Sequence, residues 1–133
     1  MGMDIRVSRP VLEALFDEAA RAMPEECCGL LLGRAGAIEE SRPAANIAEE
    51  RLRRFEIDPQ ALVDAHRAAR VGGPQVVGYY HSHPSGPAAP SPTDRAQAAH
   101  DGSVWAIIGE SGVTFWRDEE AGFVPLSYAV EDG

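Results

Sequence analysis

The segment Tyr80-His81-Ser82-His83-Pro84 places two imidazoles in alternate positions at the end of the strand-like stretch Val76–His83. Side chains alternate across a strand, so His81 and His83 project from one face. That spacing lets both rings reach a single metal ion at about 2 Å from each nitrogen. Pro84 ends the strand there and puts the pair at its lip, open to solvent and substrate. Asp94, in the first turn of the next expected helix, can supply a third, anionic ligand. Two imidazoles and a carboxylate suit Zn²⁺ and leave a fourth tetrahedral position for water, the arrangement of a catalytic rather than a structural site. Glu26 stands just before the apolar run Cys28–Leu32, at a strand's mouth. From there a carboxylate could take a proton from an attacking water and return it to a leaving amine. Each residue also has a plainer reading. A His-x-His pair is often ordinary polarity, Ser91-Pro92-Thr93-Asp94 has the form of a capping box that accounts for Ser91 and Asp94, and Glu26 could be a solvated junction like Glu25.

The elements that must position these groups follow from pattern. A helix is expected from Ser8 or Arg9 to about Met23, with Ser8 as its cap, Pro10 in its first turn, and Val11, Leu12, Leu15, Phe16 and Ala19 on one buried face. Cys28–Arg34 reads as a buried strand that turns at Gly36 into a second. Arg53–Ile57 alternates as a strand, and Asp58-Pro59 caps and opens a helix to about Arg70. Val76–His83 is the histidine strand, and a short helix runs from Pro92 to His100. Val104–Ile108 and Val113–Trp116 form a pair joined around Ser111-Gly112, and a last strand covers Val124–Val130. Strands and helices are interspersed but the strands come in hairpin-like pairs, so the expectation is an α/β (α+β) fold with a mixed, largely antiparallel sheet and about three helices.

Composition narrows the chemistry. The length of 133 residues suits one domain over 1–133, and 44% hydrophobic with 25% charged residues is ordinary globular usage. Twelve basic against 21 acidic residues give a net charge of −9, and every basic residue is arginine. So acidic a chain repels a nucleic-acid backbone and an anionic membrane. The absence of lysine excludes Schiff bases, a P-loop lysine and a Ser–Lys dyad. Cys27 and Cys28 are adjacent, which disfavours a disulfide and is no disulfide framework. The first residues lack the pattern of a signal peptide, and no apolar run is long enough to span a bilayer, so a soluble cytoplasmic protein is expected.

Taken together, Glu26-x-Cys28-Gly29 and then His81-Ser82-His83, seven residues, Ser91, two residues, Asp94 resemble the complete motif of the JAMM (MPN-plus) zinc metalloproteases. The glutamate sits in a similar Pro-x-Glu-x-Cys-Gly-Leu-Leu context, and the likeness spans about residues 4 to 130. The resemblance implies the JAMM/MPN (cytidine-deaminase-like) fold, with Zn²⁺ held by His81, His83 and Asp94. It implies Glu26 as the group that moves the proton of the attacking water and Ser91 as a donor to the developing oxyanion. The expected reaction is hydrolysis of a peptide or isopeptide bond. The short chain and the loop Pro84–Pro90 are similar to bacterial stand-alone members, some of which process the C-terminal tail of ubiquitin-like sulfur carriers. That makes a small protein with such a tail, or its conjugate, the expected partner. Two other readings are a non-catalytic MPN-type interaction module and a RadC-like DNA-repair-associated protein. Complete motif residues weigh against the first, and the charge of −9 against the second. His66 and His100 read as positions outside the site, and Cys27 as packing. The Arg51-Leu52-Arg53-Arg54 cluster reads as a solvated strand edge or a seat for acidic groups of the substrate.

Overall fold

The computed structural model describes residues 4–132. In chain order the elements are β1 (Ile5–Ser8), α1 (Arg9–Ala22), β2 (Cys28–Arg34), β3 (Ala37–Ala44), α2 (Pro59–Arg70), β4 (Gln75–Ser82), α3 (Pro92–Gln97), β5 (Val104–Gly109), β6 (Gly112–Glu119), β7 (Gly122–Leu126) and β8 (Tyr128–Glu131). The strands form one 8-stranded sheet in the order β7-β6-β5-β4-β2-β3-β1-β8. β1 runs parallel to β3 and β8, and β4 parallel to β5, while the other neighbours are antiparallel.

β2 reads as an unbroken apolar run because both its faces are covered. Leu31 points into a core with Val11 and Leu15 of α1 and with Tyr80, Ala106 and Phe115. Its neighbours Leu30 and Leu32 point the other way, onto Ala65 and Leu62 of α2. Gly29 is required by a close approach: a Cβ there would lie 2.4 Å from the Tyr80 ring and from the Arg42 carbonyl oxygen. The Tyr80 hydroxyl, buried beyond it, donates to the Glu18 carboxylate on α1. Register between β2 and β4 sets Cys28 opposite His81, which fixes the histidine on the α2 face of the sheet. No helix among the described residues is long and apolar enough to cross a membrane.

Four local expectations need correction. Arg53–Ile57 is not a strand: residues 51–53 turn, and the segment pairs only through a single Asn46–Ile57 bridge. Its alternation is nevertheless real in burial, since Phe55 is buried and Ile57 half-buried while Arg54 and Glu56 are exposed. α3 stops at Gln97 rather than His100, because the buried Asp118 carboxylate on β6 accepts the His100 backbone N–H at 2.9 Å and holds His100 at φ 58. The single last strand is two, interrupted at Ser127, whose N–H donates to Asp4. Ser8 precedes α1 but makes no side-chain cap, and it ends β1, a short strand that the pattern did not reveal.

Candidate metal centre and its cleft

β4 carries His81 as its penultimate residue, and His83 follows directly after its end. The His83 N–H donates to the Ile108 carbonyl at 2.8 Å, so the backbone keeps the edge of β5 for one residue past the strand. Asp94 lies in the first turn of α3 and is 3% exposed, and His81 is fully buried. The ligand atoms of His81, His83 and Asp94 lie within 4.8 Å of one another. The two Nε2 atoms are 3.1 Å apart, and the Asp94 oxygens lie 3.1 Å from His81 Nε2 and 3.2 Å from His83 Nε2. A tetrahedral site with bonds of about 2.0–2.1 Å has ligand atoms roughly 3.3 Å apart, so the donor set fits a small dication.

Their protonation suits the same end. The carbonyl of Pro87 can only accept, so His83 Nδ1 donates to it at 2.9 Å, and Nε2 faces the centre, where it gives Asp94 a proton or, once deprotonated, offers its lone pair. Burial pushes the His81 pKa down, so its ring is neutral. Burial opposes charge on Asp94 too, but hydrogen bonds from both histidines hold its carboxyl well below the usual carboxylate range. On His83 the charge and hydrogen bond of Asp94 outweigh burial and push the pKa up. In the absence of a cation, that ring and Asp94 partly neutralise each other. Phe55 stacks on the His81 ring with centroids 4.2 Å apart, and Trp105 meets it edge-on, which dries this side of the cluster.

Ser91 and Asp94 form the expected capping box: Ser91 Oγ accepts the Asp94 N–H at 3.0 Å, and Asp94 Oδ2 accepts the Ser91 N–H at 2.9 Å. The two readings of Ser91 are therefore compatible. As an acceptor in the cap, its hydroxyl keeps its own proton free to donate outward. Glu26 is 7% exposed and lies before β2, with its N–H on the Arg51 carbonyl and its own carbonyl accepting from the Asn46 amide. Burial, more than any neighbouring charge, lifts its pKa to about 7. Glu26, His83 and Ser91 line one cleft of about 300 Å³, walled by the loop Pro84–Pro87 on one side and by Leu52 and Arg53 on the other.

Of the remaining candidates, the two other histidines stand apart from the cluster. His66 is exposed on α2, and His100 bonds the Glu119 carbonyl. Cys27 and Cys28 are free and buried, and burial pushes the Cys27 thiol up to about 11. The Arg51–Arg54 segment is an exposed turn rather than a strand edge. Three supporting residues escaped the sequence reading. Asn46 binds the carbonyls of Glu26 and Arg54 and accepts from the N–H groups of Ala48 and Glu56. Thr114 donates to the Ala88 carbonyl, and Trp116 Nε1 donates to Thr114 at 2.8 Å. An asparagine directly before a polar, irregular stretch is the only signal any of them leaves in the sequence.

Comparison with known proteins places this arrangement. Residues 8–119 match the family described as prokaryotic homologs of the JAB domain. A desampylase of Haloferax volcanii is 36% identical over 126 residues, covering 91% of this chain and 89% of its own length. A protein named as a probable TtuB-protein conjugate cleaving protease, from Thermus thermophilus, is 37% identical over 112 residues, covering 84% of this chain and 74% of its own. A solution structure of a protein from Desulfitobacterium hafniense superposes with a TM-score of 0.86 at 25% identity, covering 97% of this chain and 94% of that one.

Proposed function

This chain belongs to the prokaryotic JAB-domain family, and from that membership we propose that it is a zinc-dependent isopeptidase or peptidase acting at the C-terminal tail of a small ubiquitin-like sulfur carrier protein. It is a hydrolase of the JAMM metalloprotease type. The substrate class is supported by two relatives named for releasing protein conjugates. The observation that carries the reading is the convergence of His81, His83 and Asp94 beside Glu26 and Ser91 on one cleft.

His81, His83 and Asp94 would hold the zinc ion, which when bound supplies a Lewis acid for the scissile carbonyl and lowers the pKa of water. Glu26 accepts a proton from the attacking water through a carboxylate oxygen and delivers it to the departing nitrogen. Its burial favours the protonated form between those two events, which suits a group that must both take and give. Ser91 donates its free hydroxyl proton to the carbonyl oxygen as negative charge develops there, a contact typically worth about 3 kcal/mol in the transition state. Pro87 keeps His83 in the tautomer with its lone pair inward. An extended tail enters the cleft between the Pro84–Pro87 loop and the Leu52–Arg53 turn.

The test is to incubate the zinc-loaded protein with a sulfur carrier conjugated or extended beyond its C-terminal glycines, and to follow the products by mass spectrometry. Release of the intact carrier is expected. Uncut carriers alongside cleavage of unrelated peptides would overturn the assignment.

A further inference from the structure

Behind the metal cluster, between α2 and the end of α3, lies a second pocket of about 290 Å³. Phe55 and Trp105, which pack on the His81 ring, form its inner wall, and Tyr79 and Leu62 extend the apolar lining. Three carboxylates, Glu56, Asp101 and Asp118, share that lining with no basic side chain. Asp118 is the unusual one. It is 1% exposed, and its Oδ1 is buried with no hydrogen-bond donor among the described residues. The one group within ion-pair range that could balance it, among the described residues, is the His100 ring at 3.5 Å, whose Nδ1 spends its hydrogen on the Glu119 carbonyl at 3.0 Å. A carboxylate taken out of water with so little compensation favours a cation in the space beside it. We propose that this pocket binds the guanidinium of an arginine side chain carried by the protein substrate, as a site separate from the metal cleft. The source of that arginine rests on the proposed action on a protein conjugate, whereas the choice of a guanidinium rests on the pocket alone.

A metal ion is the wrong cation here. Among the described residues only His81, His83 and Asp94 bring three ligand atoms within 4.8 Å of one another, so the pocket's carboxylates do not converge on a point. An organic cation spreads its charge over more space, and its apolar stem can lie against Leu62 and the aromatic rings. Of the two basic side chains, arginine carries the planar, weakly hydrated head that stacks on aromatic faces and has five N–H donors to share among separated oxygens. An ammonium is a compact, strongly hydrated charge that gives up more water on entering. Asp118 acts from the floor through its charge, strengthened by the low local dielectric, while the exposed Asp101 and Glu56 offer oxygens at the rim. A polypeptide can deliver such a side chain, because Phe55, Glu56 and Gln97 also line a neighbouring groove of about 650 Å³ that runs on to Ile47 and Glu49. The net charge of −9 draws a basic surface towards it.

The experiment titrates the zinc-loaded protein with Nα-acetyl-arginine amide and with its citrulline and lysine counterparts, following the Trp105 indole N–H by NMR. Citrulline keeps the shape of arginine and removes its charge. Arginine should bind in the millimolar range, about tenfold or more tighter than citrulline, with lysine between them. Asp118→Asn should abolish that preference. Because Asp118 also holds the His100 backbone, Asp101→Asn serves as a second variant and should weaken arginine binding about three- to tenfold. Glu13→Gln, on the exposed side of α1, should leave it intact. Equal binding of arginine and citrulline, binding of neither, or a preference untouched by both aspartate variants overturns the inference. The second measurement is cleavage of an extended carrier. The capped arginine amide at about ten times its Kd should raise KM several-fold with kcat unchanged, and the aspartate variants should lose that inhibition. An amide that binds the pocket yet leaves KM unmoved overturns the assignment to the substrate. Carriers left uncut by the wild-type enzyme count against the proposed function, while the titrations still decide whether the pocket takes a guanidinium.

Discussion

Glu26 carries two opposing demands in one side chain. Burial raises its pKa to about 7 from an ordinary value of 4.5, so the folded protein holds a proton there that the unfolded chain releases. A raised pKa gives stability that is present in full below the unfolded value and is lost as pH rises through the folded one. The metal-free protein should thus lose on the order of 2 kcal/mol between about pH 4.5 and pH 7 from this group. Glu26→Gln should remove that slope, which denaturant titrations at several pH values would reveal, while lowering kcat/KM by about 10²- to 10⁴-fold with metal content unchanged. Catalysis runs with the opposite sign, since only the ionised carboxylate accepts a proton. The acidic limb of kcat/KM should lie at or below pH 7, because a nearby dication draws the carboxylate's pKa down. A Glu26→Gln variant as active as wild type would remove Glu26 from the mechanism. At this scale the sequence was most informative. His81, His83, Ser91 and Asp94 stand at fixed local spacings, and those spacings reflect strand alternation and a single helical turn.

Among elements, the loop after β4 matters most, and it is held from outside. Gly86 accepts the Glu110 N–H, Ala88 accepts from Thr114, and Gly109 lies so near Ala88 that a Cβ would sit 2.4 Å from its nitrogen. The Pro87 carbonyl that orients His83 is thus anchored through β6. Thr114→Val keeps the volume but removes the donor, and it should weaken zinc affinity by up to about tenfold, with Thr114→Ser restoring it. Competition with a chromogenic chelator reads this directly, and unchanged affinity would confine Thr114 to packing. No pattern in the sequence announces the Thr114–Ala88 contact, since it joins residues on different elements. The same holds for Asp118, which ends α3 early by capturing the His100 backbone, and for β1, four residues whose partners are β3 and β8. Arg53–Ile57 misleads for a different reason: alternation reports which side chains are buried and is silent on whether a neighbouring strand exists to pair with.

For the molecule as a whole, ligand groups from β4, the residue just after it and α3 are held 3.1–3.2 Å apart, and only the folded chain assembles them. Metal binding therefore couples to folding. Zinc at 100 times its dissociation constant should add about 2.7 kcal/mol, raising Tm by roughly 5–10 °C in calorimetry. A chelator should reverse the shift, and Asp94→Asn should be nearly blind to zinc. The frame that does this is the β2–β4 pair with a helix layer on each face. Residues 47–54 join that frame at few points, and Phe55 closes them onto the His81 ring. Asn46 ties the Glu26 carbonyl, Arg54 and Glu56 together and bridges to Ile57, and the Arg51 carbonyl accepts the Glu26 N–H. Between those ties and Phe55 on the His81 ring, residues 49–54 stand exposed. Because Leu52 and Arg53 of that exposed run line the cleft, substitutions confined to it should retune what the cleft accepts while the catalytic frame keeps its register.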